Sequence, residues 1–332
     1  MKASLKVACA AISIAIATAA PAIGDTALYV GGTGWPGTPT HSAMTWLQNG
    51  VYAGRDDTLV GVGYPASPVL MDESIAIGAR TLGEAVQATG GKKSVVGVSQ
   101  GSLVLHEEER RLMALPAAQR PGQDELRFVY IADPARPAGG ILNWLPEGVR
   151  IPGMGVSRPE PLVETPYETV YVTREYDGIA DFPDRPLNLL STANAVMGGV
   201  YLHAHYGLDL SDVPESHITR KTNTLGGKTT EYLVPTEDLP LTQPLRQLGV
   251  PRGILDEVDD VLRPVVDAGY KRNDPKPHPS VSGLREPQKP ERDGTGSGSG
   301  ANDGDEDDDA VATSAEPGPD DSDSDPTDSG AS

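Results

Sequence analysis

KKSVVGVSQGSLVLHEEERRL, residues 92–112, is the stretch that decides the fold. Ser94-Val-Val-Gly-Val98 is a short apolar run rich in β-branched residues, the pattern of a buried strand. Gly101 to Leu112 reads as a helix with a charged outer face. Between them lies Gly97-Val-Ser-Gln-Gly101, a G-x-S-x-G pattern at a strand-to-helix junction. The five residues alone are a common pattern. At this junction they describe a nucleophile elbow, with the serine on a strained turn at the carboxyl end of a sheet. The helix N-terminus beneath such a serine favours negative charge developing nearby.

Working outward, further strands are expected at 26–30, 58–63, 127–132 and 168–173, and helices at 74–88 and 188–197. Gly78 and Gly83 weaken the first helix, because glycine is a poor helix former. Strands alternate with helices up to about residue 210. This pattern predicts an α/β fold of the α/β-hydrolase type, a mostly parallel sheet flanked by helices. Short apolar strands without strict alternation fit burial on both faces. Segments 217–222 and 228–234 flank Leu225-Gly226-Gly227 and predict a β-hairpin. Helical stretches at 241–248 and 254–268 follow. This region is expected as a C-terminal hairpin/helix appendage packed on the sheet domain.

The two ends have a different character. Lys2 and Lys6 precede an apolar run, Val7 to Ala20, too short to span a bilayer as a normal helix. Small residues follow, so residues 1–22 are expected to be a signal peptide and the protein to be secreted or held in the cell envelope. Cys9 is the only cysteine of the 332 residues and lies in that segment, so the rest of the chain forms no disulfide. From Pro287 onward the chain holds 14 of the 47 acidic residues against two basic ones, a net charge of −12. The remaining 286 residues therefore carry only −8 of the total −20. No basic stripe exists to meet phosphates, which argues against nucleic acid as a partner. Residues 273–332 are too poor in apolar side chains to offset ordering entropy and are expected to form a disordered tail. Asp303 to Asp309 lacks the glycine and glutamate of a calcium loop, and no other pattern calls for a metal or a cofactor.

A nucleophilic serine is weak without a base and an acid. Of six histidines, His41 precedes the serine, His106 is expected on the solvent side of the helix, and His278 lies in the tail. His203, 104 residues after Ser99, follows the last sheet helix and is the expected base, with His205 the alternative. The acid should follow the strand at 168–173. Asp177 suits it, and Asp181, four residues on, is the alternative. The order Ser99, Asp177, His203 is that of α/β-hydrolases. Of the two oxyanion donors such chemistry needs, one is expected from the backbone of Gln100 and the other from the loop Gly31-Gly32-Thr33-Gly34, at Gly32 or Thr33.

Gly31-Gly-Thr-Gly34, Gly97-Val-Ser-Gln-Gly101, Asp133-Pro-Ala-Arg-Pro-Ala-Gly-Gly140, Tyr176-Asp-Gly-Ile-Ala-Asp-Phe-Pro183, Asn194-Ala and His203-x-x-Tyr206 together resemble the PE-PPE domain family. Its members are actinobacterial serine α/β-hydrolases related to cutinases. The resemblance covers about residues 26–272 and fits the stand-alone form, since a signal peptide replaces the PE or PPE module. It implies a cutinase-like fold and esterase or acyl-transfer activity on lipid-like esters of the cell envelope. A glycolipid alcohol is then the alternative acyl acceptor, and peripheral association with the envelope is expected. A non-catalytic envelope-binding module is the remaining alternative. The family's serine maps to Ser99, its histidine to His203, and its acid to the Tyr176–Pro183 block.

Overall fold

The structure, a computed structural model, describes residues 26–48, 57–206 and 209–275. Its elements run β1 (Thr26–Val30), α1 (His41–Gln48), β2 (Thr58–Val62), α2 (Met71–Ala88), β3 (Lys93–Val98), α3 (Gln100–Ala114) and β4 (Leu126–Ile131). A two-stranded excursion, β5 (Arg150–Ile151) and β6 (Val156–Ser157), precedes β7 (Glu168–Arg174) and α4 (Leu189–Tyr201). β8 (Ile218–Thr222), β9 (Lys228–Val234), α5 (Gln243–Gln247) and α6 (Arg252–Asp267) complete the order. The expected signal peptide, and the tail beyond residue 275, lie outside the described residues.

Seven strands form one sheet in the order β2-β1-β3-β4-β7-β9-β8. All neighbours are parallel except β8, which runs antiparallel to β9. The central strands are buried along nearly their whole length. Apolar side chains on both faces produce this, with α2 and α3 on one side and α1, Tyr206, Leu210 and Val213 on the other. Gly78 and Gly83 do not break α2. A side chain at Gly78 would strike Val104 and Tyr64, and one at Gly83 would strike Arg111 and Glu108. Tertiary packing against α3 thus uses the absence of side chains that propensity alone counts as a weakness.

The hairpin differs from the expected appendage. β9 pairs in parallel with β7 and extends the central sheet. The edge of β7 offers unpaired backbone groups, and Tyr232 and Val234 of β9 continue the apolar face made by Val170 and Val172. β8 then forms an exposed sheet edge bearing Arg220 and Lys221, charges that discourage further pairing. Only the helices after β9 remain peripheral. They pack with α4 around Tyr176, Leu202, Leu239, Val266 and Tyr270.

Candidate active site

The strand-to-helix junction after β3 has the strained backbone its sequence predicts. Ser99 has φ 52° and ψ −115°, outside the regions an ordinary serine adopts. Its N–H donates to the Ile131 carbonyl at 2.9 Å, and the Ser102 hydroxyl donates to the Gly97 carbonyl at 3.0 Å. The glycines are required by contact: a Cβ on Gly97 would strike Gly101, and one on Gly101 would strike the Val30 carbonyl. Ala66, Ala132 and Tyr176 also have positive φ, and each follows a sheet strand at its carboxyl end. Backbone strain therefore gathers along the sheet edge that carries Ser99.

Around Ser99 the structure assembles groups from three elements. His203, just past the end of α4, places Nε2 2.9 Å from Ser99 Oγ. Its Nδ1 lies 2.9 and 3.0 Å from the two Asp177 carboxylate oxygens. Asp177 is fully buried, whereas Ser99 and His203 are half-buried and reachable from solvent. Asp177 also accepts the Ile179 N–H at 3.0 Å and the Tyr206 hydroxyl at 2.5 Å. The acid loop is pressed against α4 at two glycines. A Cβ on Gly178 would collide with the Ala195 carbonyl, and one on Gly198 with the Tyr176 carbonyl. This close approach brings the acid and the end of α4 together.

The alternative residues lie elsewhere. Asp181 binds Arg136 and Arg272 at 2.9 Å each and accepts the Tyr176 N–H at 2.9 Å. It braces the acid loop and does not meet His203. His205 is exposed, and its carbonyl accepts from Arg174. Of the expected oxyanion groups, Gln100 N–H is the first of α3 and so has no intrahelical acceptor. Gly32 lies against the serine, since a Cβ there would sit 3.4 Å from Ser99 Cβ. Thr33, next in the loop, is exposed. The loop is held by Tyr64, whose hydroxyl donates to the Gly31 carbonyl at 2.6 Å, and by Gly34 N–H on the Ala66 carbonyl at 2.8 Å. The Gln100 side chain is buried and donates to the Ser67 carbonyl at 2.8 Å, tying the elbow to the loop after β2.

Two features were not assigned from the residues. Tyr206 was visible as part of His203-x-x-Tyr206, but its reach to Asp177 depends on the fold of the segment after α4. Its hydroxyl also accepts the Arg174 N–H at 3.0 Å. Burial, then the Asp177 carboxylate, holds the phenol well above its ordinary pKa, so it stays a donor. The other feature corrects an expectation. His106 does not face solvent; it is buried, with Nε2 2.9 Å from Asp133 Oδ2 and its ring stacked on Tyr130 at 4.4 Å. Burial alone would lower its pKa, but Asp133, helped by Glu109, outweighs that and lifts it to about 9. Glu108 and Glu109 are buried too, so the inward face of α3 takes in part of its charged run.

A parallel sheet, a strained serine after a central strand, and a histidine and carboxylate from later loops define an α/β-hydrolase. The chain belongs to the PE-PPE domain family, whose match spans residues 57–271. Among proteins of similar sequence, Diacyltrehalose acyltransferase Chp2 of Mycobacterium tuberculosis is 41% identical over 203 residues, 59% of this chain and 56% of that one. Esterase PE16 of the same organism is 40% identical over 205 residues, 60% of this chain and 38% of that one. SL1278 acyltransferase Chp1, also of that organism, is 36% identical over 279 residues, 78% of this chain and 66% of that one. The chain spans about half the length of the first two of these relatives. Solved structures overlap it more loosely. A cutinase-like protein from Cryptococcus sp. is 17% identical over 56% of this chain and 87% of that one, with a TM-score of 0.35. Aspergillus fumigatus lipase B is 13% identical over 47% of this chain and 39% of that one, with a TM-score of 0.33.

Proposed function

We propose that this protein is a serine hydrolase of lipid-like carboxylic esters, exported to the cell envelope and acting through an acyl-enzyme on Ser99. The observation that carries the reading is the continuous 2.9 Å relay from Ser99 Oγ through His203 to Asp177 on a strained elbow. His203 Nε2 takes the hydroxyl proton as Oγ bonds to the ester carbonyl carbon, and the carbonyl π electrons move onto oxygen. That oxyanion is met by the N–H of Gln100 and an N–H of Gly32 or Thr33. Collapse breaks the C–O bond of the ester, and the departing alkoxide takes the proton from His203. Water then repeats the sequence against the acyl-enzyme and releases the acid. Asp177 keeps the imidazole in the tautomer that presents a bare Nε2 to the serine and stabilises the imidazolium. The test is hydrolysis of p-nitrophenyl esters of graded chain length beside Ser99→Ala and His203→Ala. Equal rates in all three proteins would end the reading.

A second reading keeps the acyl-enzyme and replaces water by a glycolipid alcohol. Two of the relatives described above bear acyltransferase names, which favours considering it. Supplying a glycolipid acceptor and looking for transacylated product separates the two readings. Neither reading assigns a step to the acidic tail; removal of the residues after 285 is expected to leave ester hydrolysis intact.

A further inference from the structure

α4 and α6 each turn an apolar stripe to solvent, and the α4 stripe ends three residues before the active-site histidine. α4 is a surface helix of 13 residues without a single Asp, Glu, Lys or Arg. Its buried side is Ser191, Asn194, Ala195 and Gly198. Its outward side is Leu189, Val196 and Val200, the last 65% exposed. At 100° per residue these three fall within about 40° of one another around the helix axis. The last of them, Val200, stands three residues before His203, whose Nε2 meets Ser99 Oγ.

α6 repeats the pattern. Leu255, Asp259 and Val266 face the protein. Ile254, Val258, Val261 and Val265, spaced 4, 3 and 4, form a second stripe beside them and lie in solvent, Val261 at 74% exposure. The apolar arc of α6 is thus about twice as wide as the arc the fold buries, against the usual rule that it faces the core alone. The two helices join where Asn188 and Ser191 donate to the carbonyls of Val265 and Val266, at 2.7 and 2.6 Å. Across the site, Trp35 and Leu70 are also exposed. Trp35 N–H donates to the Gly32 carbonyl, and Leu70 ends the loop whose Ser67 carbonyl binds Gln100.

We infer that the α4–α6 face is a docking surface for the acyl phase of an uncharged or zwitterionic lipid aggregate, which delivers ester to Ser99. The inference rests on the serine-hydrolase reading for its purpose, not for its existence. Continuity with His203 selects the occupant: a protein seated along the stripe would cover the site, while a lipid surface presents substrate to it. The stripe is aliphatic, without the Arg, Tyr or Trp that anchor protein interfaces at their centre. Glu257 and Asp260, exposed on the flank of this stripe on α6, repel anionic headgroups. An amphipathic helix lying in the plane of a lipid interface has this geometry.

The test is co-sedimentation of the full chain with phosphatidylcholine vesicles, for wild type, Val258→Asp/Val261→Asp/Val265→Asp and the milder triple Val-to-Ser variant. All carry the same N-terminus, so differences report α6. Removing three valines from the lipid contact is expected to lower vesicle partition at least about tenfold. Turnover of a soluble butyrate ester is expected to match wild type, which shows that the variants fold. Equal partition of wild type and variants would overturn the inference. So would tighter binding to phosphatidylglycerol than to phosphatidylcholine, or a wild-type dimer in light scattering that the variants dissolve. Ser99→Ala is expected to bind vesicles as wild type does while losing ester hydrolysis. If it hydrolysed normally, the serine reading would fall, and the partition data would still decide the surface.

Discussion

Two histidine–aspartate pairs stand on the same sheet with the same 2.9 Å contact. His203 meets Asp177, and His106 meets Asp133. The carboxylates are equally buried, so distance and burial of the acid do not distinguish them. The far side of each imidazole does. The second nitrogen of His203 faces Ser99 Oγ in a half-open position. The second nitrogen of His106 faces Glu109 at 3.7 Å in a closed one, under an aromatic column of Tyr130 and Tyr171. One pair can exchange a proton with something that arrives from outside. The other holds its proton between two carboxylates and joins α3 to the loop after β4.

The contrast breaks first at the serine. Ser99→Ala or His203→Ala is expected to lower kcat for a soluble ester by about 10⁴-fold or more, because nucleophile and base act as a unit. Stopped assays with the purified variants check this. Next come the two acids. Asp177→Asn is expected to cost about 10³- to 10⁴-fold in kcat through the wrong tautomer, with the fold retained. Asp133→Asn is expected to leave kcat within about threefold and to cost about 3–5 kcal/mol of stability, since it strips a partner from a buried cation. Chemical denaturation beside the same assay reads both; a rate collapse in Asp133→Asn with stability unchanged would erase the distinction.

The third test uses pH. His106 is raised from about 6.5 to about 9 in the folded protein. A group with a raised folded-state pKa stabilises fully below its unfolded value and loses that contribution as pH rises through the folded one. Stability is therefore expected to fall by a few kcal/mol between about pH 6.5 and 9, followed by thermal melts. His106→Gln should flatten that slope. The smallest effect is expected at Tyr206. Tyr206→Phe removes one hydrogen bond to a charged group, about 1.5–3 kcal/mol or roughly tenfold or more in kcat. A hydrolysis rate equal to wild type in the purified variant would reduce Tyr206 to a packing role.

These pairs also measure what could be read in advance. The elbow was legible because every requirement of Ser99 is local: β-branched residues before it, a helix after it, and glycines where backbone crosses backbone. The chain order of Asp177 and His203 was legible for the same reason, since both fall just past regular elements. The buried state of His106 was not. Its neighbours in sequence are charged, and only the docking of α3 on Tyr130 shows which face of the helix turns inward. The hairpin was visible as a hairpin, but its partner was not, because strand pairing across more than 50 residues leaves no periodic trace.

The sequence by itself determined the alternation of strands and helices, the strained turn at Ser99 and the order of the groups that follow it. These depend on backbone sterics and on apolar periodicity within a few residues. Tertiary structure alone decided that Asp181 braces a loop through Arg136 and Arg272 while Asp177 reaches His203, four residues apart and chemically alike. It also decided that β9 extends the sheet and that Val196 and Val200 of α4 and Val258, Val261 and Val265 of α6 face outward. Each of these is a contact between distant segments, set by which surfaces are left over once the local elements have formed.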